Sequence, residues 1–181
     1  MRSDDIRAQG PGSLLMTYAV VLYRLRALGV IRSFNHPVGD VAEYWVSRNL
    51  GLTLAHKTNM GYDAVDDSGL RYEIKARWRA QGRGSATMTG IRPTEPAKFD
   101  CLVAVVFDED FSVDYAAILP VDLVRQRCRY VRRRNSFDMP FPRKLLGLPG
   151  VRDITGKLRM FPPTDEEKRF IAAIEAWETR A

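Results

Sequence analysis

The sequence has few of the side chains that bind transition metals through nitrogen or sulfur. Among its 181 residues are two cysteines, Cys101 and Cys128, and two histidines, His36 and His56. Neither cysteine belongs to a CxxC motif, so we expect no structural zinc site. The spacing of the cysteines is not typical of a disulfide framework either, and we expect both thiols to be reduced.

A long apolar run is also missing. The best one, SLLMTYAVVLY (13–23), is interrupted by Thr17 and Tyr18 and followed by Arg24 and Arg26. It is too short to cross a bilayer. The N-terminus, MRSDDIRAQGPGS, has mixed charge and lacks the apolar core of a signal peptide. These features predict a cytoplasmic protein with no membrane partner.

Acidic residues are outnumbered by basic ones, 22 against 28, which gives a formal net charge of +6. Hydrophobic residues make up 45% and charged residues 28%, a composition typical of globular proteins. We expect a flexible tail over 1–12 and one domain over 13–181. The positive excess favours a polyanionic partner such as nucleic acid, although a basic protein without such a partner has the same composition.

Apolar residues recur at helical spacing in three segments of the chain. The first predicted helix is capped by Ser13 and ends near Leu28. The second covers 38–50, with Gly51 as its stop, and the third covers 164–180 and begins with a capping box.

Four strands are predicted between the second and third helices. Two of them surround a tight turn in GYDAVDDSGLRYEIKARW (61–78), and 113–120 is another. The almost continuously apolar run 100–108 is typical of a central strand buried on both faces. Residues 79–98 are expected to form a loop, and 121–131 either a short helix or a strand. This order predicts an α/β or α+β domain with a small mixed sheet flanked by helices.

The turn of the hairpin determines which charged side chains face each other. A three-residue loop closed by Gly69 in the left-handed conformation places Asp63 opposite Glu73. Lys75 then lies on the same face, because side chains alternate along a strand. A four-residue loop would place Asp63 opposite Tyr72 and break this arrangement.

Two facing carboxylates repel each other unless positive charge lies between them. Lys75 supplies part of that charge. Magnesium would supply more, since it prefers oxygen ligands and often binds only one or two carboxylates. The carbonyl of Ile74 is a further candidate ligand, and Lys75 can position a water, or help deprotonate it, for attack on a phosphodiester. The other interpretation of RYEIKAR is an exposed strand of alternating charge.

The residues GYD (61–63), followed ten residues later by EIK (73–75), resemble the PD-(D/E)xK nuclease superfamily. The resemblance covers roughly Gly39 to Pro120, and it implies an α/β restriction-endonuclease-like fold with a mixed central sheet flanked by helices. The chain departs from the family pattern in having Tyr62, not proline, before the first acid. It also has no obvious helix directly after the hairpin.

The resemblance assigns a role to each residue of the motif. It implies that Asp63 and Glu73 bind magnesium, for which manganese can substitute, together with the carbonyl of Ile74 as argued above. Lys75 organises the nucleophile. Many members of the superfamily add a glutamate from the preceding helix, and Glu43 matches that position as a catalytic residue that holds the metal directly or through water.

The function implied is a magnesium-dependent nuclease that hydrolyses phosphodiester bonds, with DNA as the expected partner. The alternative is a catalytically silent nuclease-fold module that binds DNA or another partner, and a basic structural protein with an accidental motif is a third interpretation. Family enzymes that cut both strands often act as dimers, so a homodimer is compatible with the resemblance.

Arginines near the motif and in the basic segment after the last predicted strand are candidates for phosphate contacts. Each of them, taken alone, also fits an ordinary solvated surface. An aromatic residue among them, Tyr130, can stack on a base where a nucleic-acid strand is unpaired. The candidate nucleic-acid-binding residues are Arg77, Arg79, Arg83, Arg125, Arg129, Arg132 and Arg133.

Overall fold

The computed structural model of the chain describes residues 6, 8–58, 61–79, 86–94 and 96–158. It is a mixed α/β structure with two β-sheets. The α-helices with defined bounds are α1 (Pro11–Ala27), α2 (Val38–Leu50), α3 (Val121–Arg127) and α4 (Thr155–Leu158). Short 3-10 helices cover Arg132–Arg134 and Arg143–Gly147.

The strands lie mostly between α2 and α4 in the sequence. They are β1 (Thr53–Leu54), β2 (Ala64–Val65), β3 (Arg71–Trp78), β4 (Thr87–Ile91), β5 (Cys101–Phe107), β6 (Val113–Pro120), β7 (Arg129–Val131), β8 (Ser136–Pro140) and β9 (Arg152–Asp153).

The larger sheet has the strand order β1-β2-β3-β5-β6-β9. β3 and β5 run parallel, and the other neighbours are antiparallel, so the sheet is mixed as predicted. β5 is buried along nearly its whole length. Its continuous apolar sequence, CLVAVVF, fits a strand that is covered on both faces, and the predicted central strand is therefore confirmed.

A second sheet was missed by the sequence analysis. It has the order β4-β8-β7. β4 lies in a segment expected to form a loop, and β8 in one without an assignment. The segment 121–131, expected to be either a short helix or a strand, contains both α3 and β7. The prediction of a loop over 79–98 is partly wrong, because β4 lies within this segment. The two buried residues of β4, Met88 and Ile91, are three apart and separated by a register shift next to Gly90 at φ 75°. That irregularity hides the period-two pattern by which a strand is recognised.

The larger sheet separates two hydrophobic clusters. On one side, Leu22 of α1, Val46 of α2 and Leu158 of α4 pack with β3, β5 and β6. On the other side, Met88 of β4 and Met139 of β8 pack against the opposite face of β5 and β6. The structure is therefore layered as helices, larger sheet and smaller sheet.

The predicted helix ends are partly confirmed. α2 ends at Gly51 with φ 67°, as the sequence indicates. α1 begins at Pro11, and the expected cap at Ser13 is wrong, because proline at the first helical position and Gly10 before it start the helix without a side-chain cap. The predicted helix 164–180 and part of the 1–12 tail lie outside the described residues. No helix in the described ranges is long and apolar enough to cross a membrane.

A buried hydrogen bond joins the two layers of sheet. The Tyr115 hydroxyl of β6 donates to the carbonyl of Phe141, which follows β8, over 2.6 Å. Tyr115→Phe should reduce the free energy of unfolding by about 1–2 kcal/mol, because it leaves a buried carbonyl without its donor. Chemical denaturation measures the change. Tyr130→Phe, which removes an exposed hydroxyl, is the matched control, and an equal loss in both variants would contradict the proposed link.

Candidate functional site

The hairpin that carries the motif has the predicted register. Val65 pairs with Arg71 and Ala64 with Tyr72. Gly69 closes the turn at φ 84°. The three-residue loop is thus confirmed, and the four-residue alternative is wrong.

The first motif carboxylate, Asp63, lies just before the start of β2. The paired ladder stops at Ala64, one step before the expected pair of Asp63 and Glu73. The backbone N–H of Asp63 donates to the Tyr72 carbonyl over 2.8 Å. The Asp63 carboxylate in turn accepts a hydrogen bond of 2.7 Å, through Oδ2, from the backbone N–H of Ile74. The side chain of Asp63 therefore takes the place of the missing strand partner.

The other motif residues converge on the same point. Lys75 Nζ forms an ion pair with Glu73 and lies 3.9 Å from Oδ2 of Asp63. It also donates to the Ile74 carbonyl over 3.4 Å. Two carboxylates, one ammonium group and one backbone carbonyl therefore meet at the start of β2, as the sequence predicts.

Burial and neighbouring charges shift the pKa values of these groups. Burial raises the pKa of Glu73, and the charge of Asp63 adds to the rise, while the Lys75 charge opposes it. Burial alone would lower the pKa of Lys75. The carboxylates of Glu73 and Asp63 outweigh that effect and raise the pKa of Lys75 above its ordinary value. Lys75 is therefore fully charged at neutral pH.

Glu43 has a partner that the sequence analysis missed. It projects from α2 and forms an ion pair with Arg32, which lies in the loop between α1 and α2. Arg32 also donates from Nη1 to the carbonyl of Ala55 over 2.8 Å. Arg32 belongs to no motif and no periodic segment, so nothing in the sequence marks it.

Asp40, at the start of α2, fixes the position of the Arg32 backbone. Its Oδ2 accepts hydrogen bonds from the backbone N–H groups of Arg32 and Ser33, at 2.9 and 2.8 Å. Its Oδ1 accepts a hydrogen bond of 2.8 Å from Lys57 Nζ. Burial works to raise the pKa of Asp40, but these hydrogen bonds outweigh it and lower the pKa, so the carboxylate stays ionised. The loop before α2 is thereby held against the helix that carries Glu43.

Glu43 belongs electrostatically to the same site. Burial raises its pKa, the Arg32 guanidinium opposes the rise, and the charge of Asp63 adds to it. The charge of Glu43 also contributes to the raised pKa of Lys75. Glu43 therefore lies close enough to interact with the motif residues, but its nearest cation is Arg32.

The chemistry of the donor set suits magnesium. Asp63, Glu73 and the carbonyl of Ile74 are hard oxygen donors at one point of the sheet, and magnesium often uses one or two carboxylates with waters and substrate phosphates. No group of three or more histidine, cysteine, aspartate or glutamate side chains in the described ranges is arranged to hold a metal by itself. The donors present fit a magnesium ion that keeps waters or phosphate oxygens in its shell.

The predicted nucleic-acid-binding arginines fall into two groups. Arg79 is tied to Asp108 and Asp114, and Arg125 donates to the carbonyls at 93 and 94. The second group is exposed, and its side chains form no ion pair with any described residue; it consists of Arg77, Arg129, Arg132 and Arg133. Arg83 lies outside the described residues. Contact with nucleic acid stays a prediction for all of them.

Comparisons with known proteins add no family assignment. No protein-family model matches the chain, and no curated protein matches it either. The functional argument therefore rests on the residues of the site.

Arg32→Gln tests the coupling between Arg32 and Glu43. The pKa of Glu43 is higher in the folded protein than in the unfolded chain. The protein therefore loses stability as the pH rises through the folded pKa and Glu43 ionises. Below the unfolded pKa this loss is absent. Without Arg32 this loss is larger. We expect a loss of about 1–3 kcal/mol at pH 7 and a smaller loss at pH 4, measured by chemical denaturation.

The double variant Arg32→Gln/Glu43→Gln is the control, since it removes the charge that Arg32 offsets. It should unfold with the same pH dependence as Glu43→Gln alone. If Arg32→Gln destabilised the protein equally at both pH values, Arg32 would act through packing and not through the charge of Glu43.

Proposed function

We propose that the protein is a magnesium-dependent nuclease that hydrolyses phosphodiester bonds in DNA. The observation that supports the proposal best is the meeting of Asp63, Glu73, Lys75 and the Ile74 carbonyl at the start of β2. A structural role does not require two carboxylates at a half-buried sheet edge, where burial raises the pKa of Glu73. Phosphodiester hydrolysis does, because it needs oxygen donors beside a group that orients a nucleophile.

Each residue has a distinct part in the proposed reaction. Asp63, Glu73 and the carbonyl of Ile74 would hold the magnesium ion. Its chemistry there would be to lower the pKa of a water and to stabilise negative charge on the phosphate. Lys75, whose ammonium group lies between both carboxylates, orients the attacking water and donates hydrogen bonds to the developing charge. Glu43, held by Arg32, orients water at the same site from the side of α2.

The fold supports a more specific assignment within this proposal. α2 packs on β3 of the hairpin, and the buried strand β5 lies next to β3 in the sheet. This order of elements is compatible with the restriction-endonuclease-like fold that the motif resembles. The exposed arginines provide positive charge for the phosphates of DNA. A homodimer remains part of the proposal for cleavage of both strands.

Nicking of supercoiled plasmid tests the catalytic assignment. The native protein should nick the plasmid with Mg²⁺ or Mn²⁺, and EDTA should abolish the activity. Lys75→Ala should lower the rate by at least about a hundredfold, the scale on which a positioned proton-transferring or orienting group contributes. Lys144→Ala, at an exposed position in the 3-10 helix after β8, is the matched control and should keep full activity.

The pattern across the variants decides between the interpretations. Equal nicking by the native protein and Lys75→Ala would show a contaminant and remove the motif from the mechanism. Retention of DNA without cleavage by either protein would favour the catalytically silent binding module.

Asp63→Asn tests the metal site without an activity assay. The asparagine oxygen can still accept the hydrogen bond from Ile74, so the melting temperature should change little. Affinity for Mn²⁺, followed by electron paramagnetic resonance, should fall by at least about tenfold, because even outer partners of metal ligands contribute that much. Asp66→Asn, in the turn of the same hairpin, is the control. Unchanged Mn²⁺ affinity in Asp63→Asn would contradict its role as a ligand.

A further inference from the structure

The outer edge of the smaller sheet exposes an aromatic ring among arginines. Tyr130 in β7 is 54% exposed, although tyrosine is a residue that usually buries most of its ring. Arg129 precedes it, and Arg132 and Arg133 follow in the adjacent 3-10 helix, all exposed. We call Tyr130 and these three arginines the β7 edge surface.

The Tyr130 ring is held in one orientation. Its hydroxyl donates to Oδ1 of Asn135 over 2.9 Å. Its ring centre lies 5.3 Å from that of Phe137 on the neighbouring strand, with the ring planes tilted by 60°. Asn135 itself has φ 45°, a turn conformation that brings its side chain back toward β7. An aromatic ring fixed in this way loses little conformational entropy when a flat ligand stacks on it.

The positive charge of the β7 edge surface is not neutralised by neighbours. Arg134, in the same basic run, forms an ion pair with Asp138. Within the described ranges the guanidinium groups of Arg129, Arg132 and Arg133 have no such partner. The surface thus combines a fixed aromatic face with three charges that are available to phosphates.

The smaller sheet packs on the face of β5 beside which Glu73 and Lys75 lie, so this surface is on the same side of the larger sheet as these two residues. Tyr130 pairs with Phe137, and Phe137 pairs with Ile91 of β4, so the three share one face of the smaller sheet. Neighbouring strands are about 4.8 Å apart, which puts β7 roughly 10 Å from β4. Arg92 follows Ile91, and its charge acts on the carboxyl of Glu73. β4 also contacts β3, which carries Glu73 and Lys75, so β4 lies between the β7 edge surface and these residues.

We propose that the β7 edge surface binds an unpaired strand of nucleic acid, with one base stacked on Tyr130 and the flanking phosphates on Arg129, Arg132 and Arg133. This inference rests on the proposed nuclease function and names its substrate class: single strands, or duplexes with unpaired segments. A base inside a duplex already stacks on its neighbours, so only an unpaired base can present its face to the ring. Arginine contacts alone would hold duplex and single strand alike.

Fluorescence anisotropy with EDTA present tests the inference, because binding is then measured without cleavage. The probes are a labelled mixed-sequence single-stranded oligonucleotide, the corresponding duplex, and heparin as a polyanion without bases. Tyr130→Leu should weaken single-strand binding about tenfold, the scale of one base–aromatic stack. Its binding to duplex and to heparin should change less than about twofold. Tyr130→Phe keeps the ring and should bind single strands nearly as well as the native protein.

The arginines give an independent prediction for the same surface. Arg132→Gln/Arg133→Gln should reduce the slope of log affinity against log salt concentration by about 1.4 for single strands, at roughly 0.7 per phosphate contact. Arg134→Gln, which removes an arginine already paired with Asp138, is the matched control and should leave the slope close to that of the native protein.

Several outcomes would overturn the inference. These are absence of single-strand binding, an equal loss of duplex and single-strand affinity in Tyr130→Leu, and a change of oligomeric state in that variant, which would make the surface an interface between two copies of the chain. Failure of the proposed nuclease function is a separate result. Tyr130-dependent binding of single strands without any nicking would leave the surface established and the hydrolysis rejected.

Discussion

One hydrogen bond fixes the geometry on which the candidate site depends, that from the backbone N–H of Ile74 to the carboxylate of Asp63. It forms because β2 begins only at Ala64 and leaves the backbone of Ile74 without a strand partner on that side. A polar backbone group within a sheet requires a partner, and the carboxylate of Asp63, the residue just before β2, provides it. For the same reason the Ile74 carbonyl is open to Lys75. The late start of β2 thereby creates both the position of the carboxylate and the oxygen beside it.

The charges around this hydrogen bond are arranged as local pairs. Glu73 pairs with Lys75, and Glu43 pairs with Arg32. Burial raises the pKa of both glutamates, and the paired cation limits the rise in each case. Like charges can therefore lie near one another at a half-buried edge. Under the proposed function, a metal ion that binds Glu73 competes with Lys75, so metal binding and the orientation of Lys75 are linked.

The smaller sheet packs beside the candidate site. Its residues cover the face of β5 that lies beside Glu73 and Lys75, since Glu73 pairs with Leu102 and Lys75 with Ala104 in the parallel ladder. The hydrogen bond from Tyr115 ties the end of β8 to the larger sheet. The basic outer edge is thus carried by a layer that is packed firmly against the site. This connection is why the β7 edge surface and the motif residues are proposed to act on one strand of nucleic acid.

The sequence by itself determined the features that depend on local pattern. The apolar period predicted α2 and its end at Gly51, the continuous apolar run predicted β5, and the turn closed by Gly69 predicted the hairpin register. Counting residues outward from the turn then predicted that Asp63 lies close to Glu73 and Lys75, because side chains alternate along strands. The mixed α/β class followed from the order of these elements.

Only the tertiary structure decided the features that join distant or irregular segments. In the smaller sheet β4 pairs with β8, which lies about fifty residues further along the chain. The bulge in β4 also hides the alternation of buried and exposed residues by which a strand is recognised. The ion pair of Arg32 with Glu43 depends on how the loop before α2 is held by Asp40. Local propensity carries no information about such contacts, because they arise when separate segments pack and their buried charges find partners.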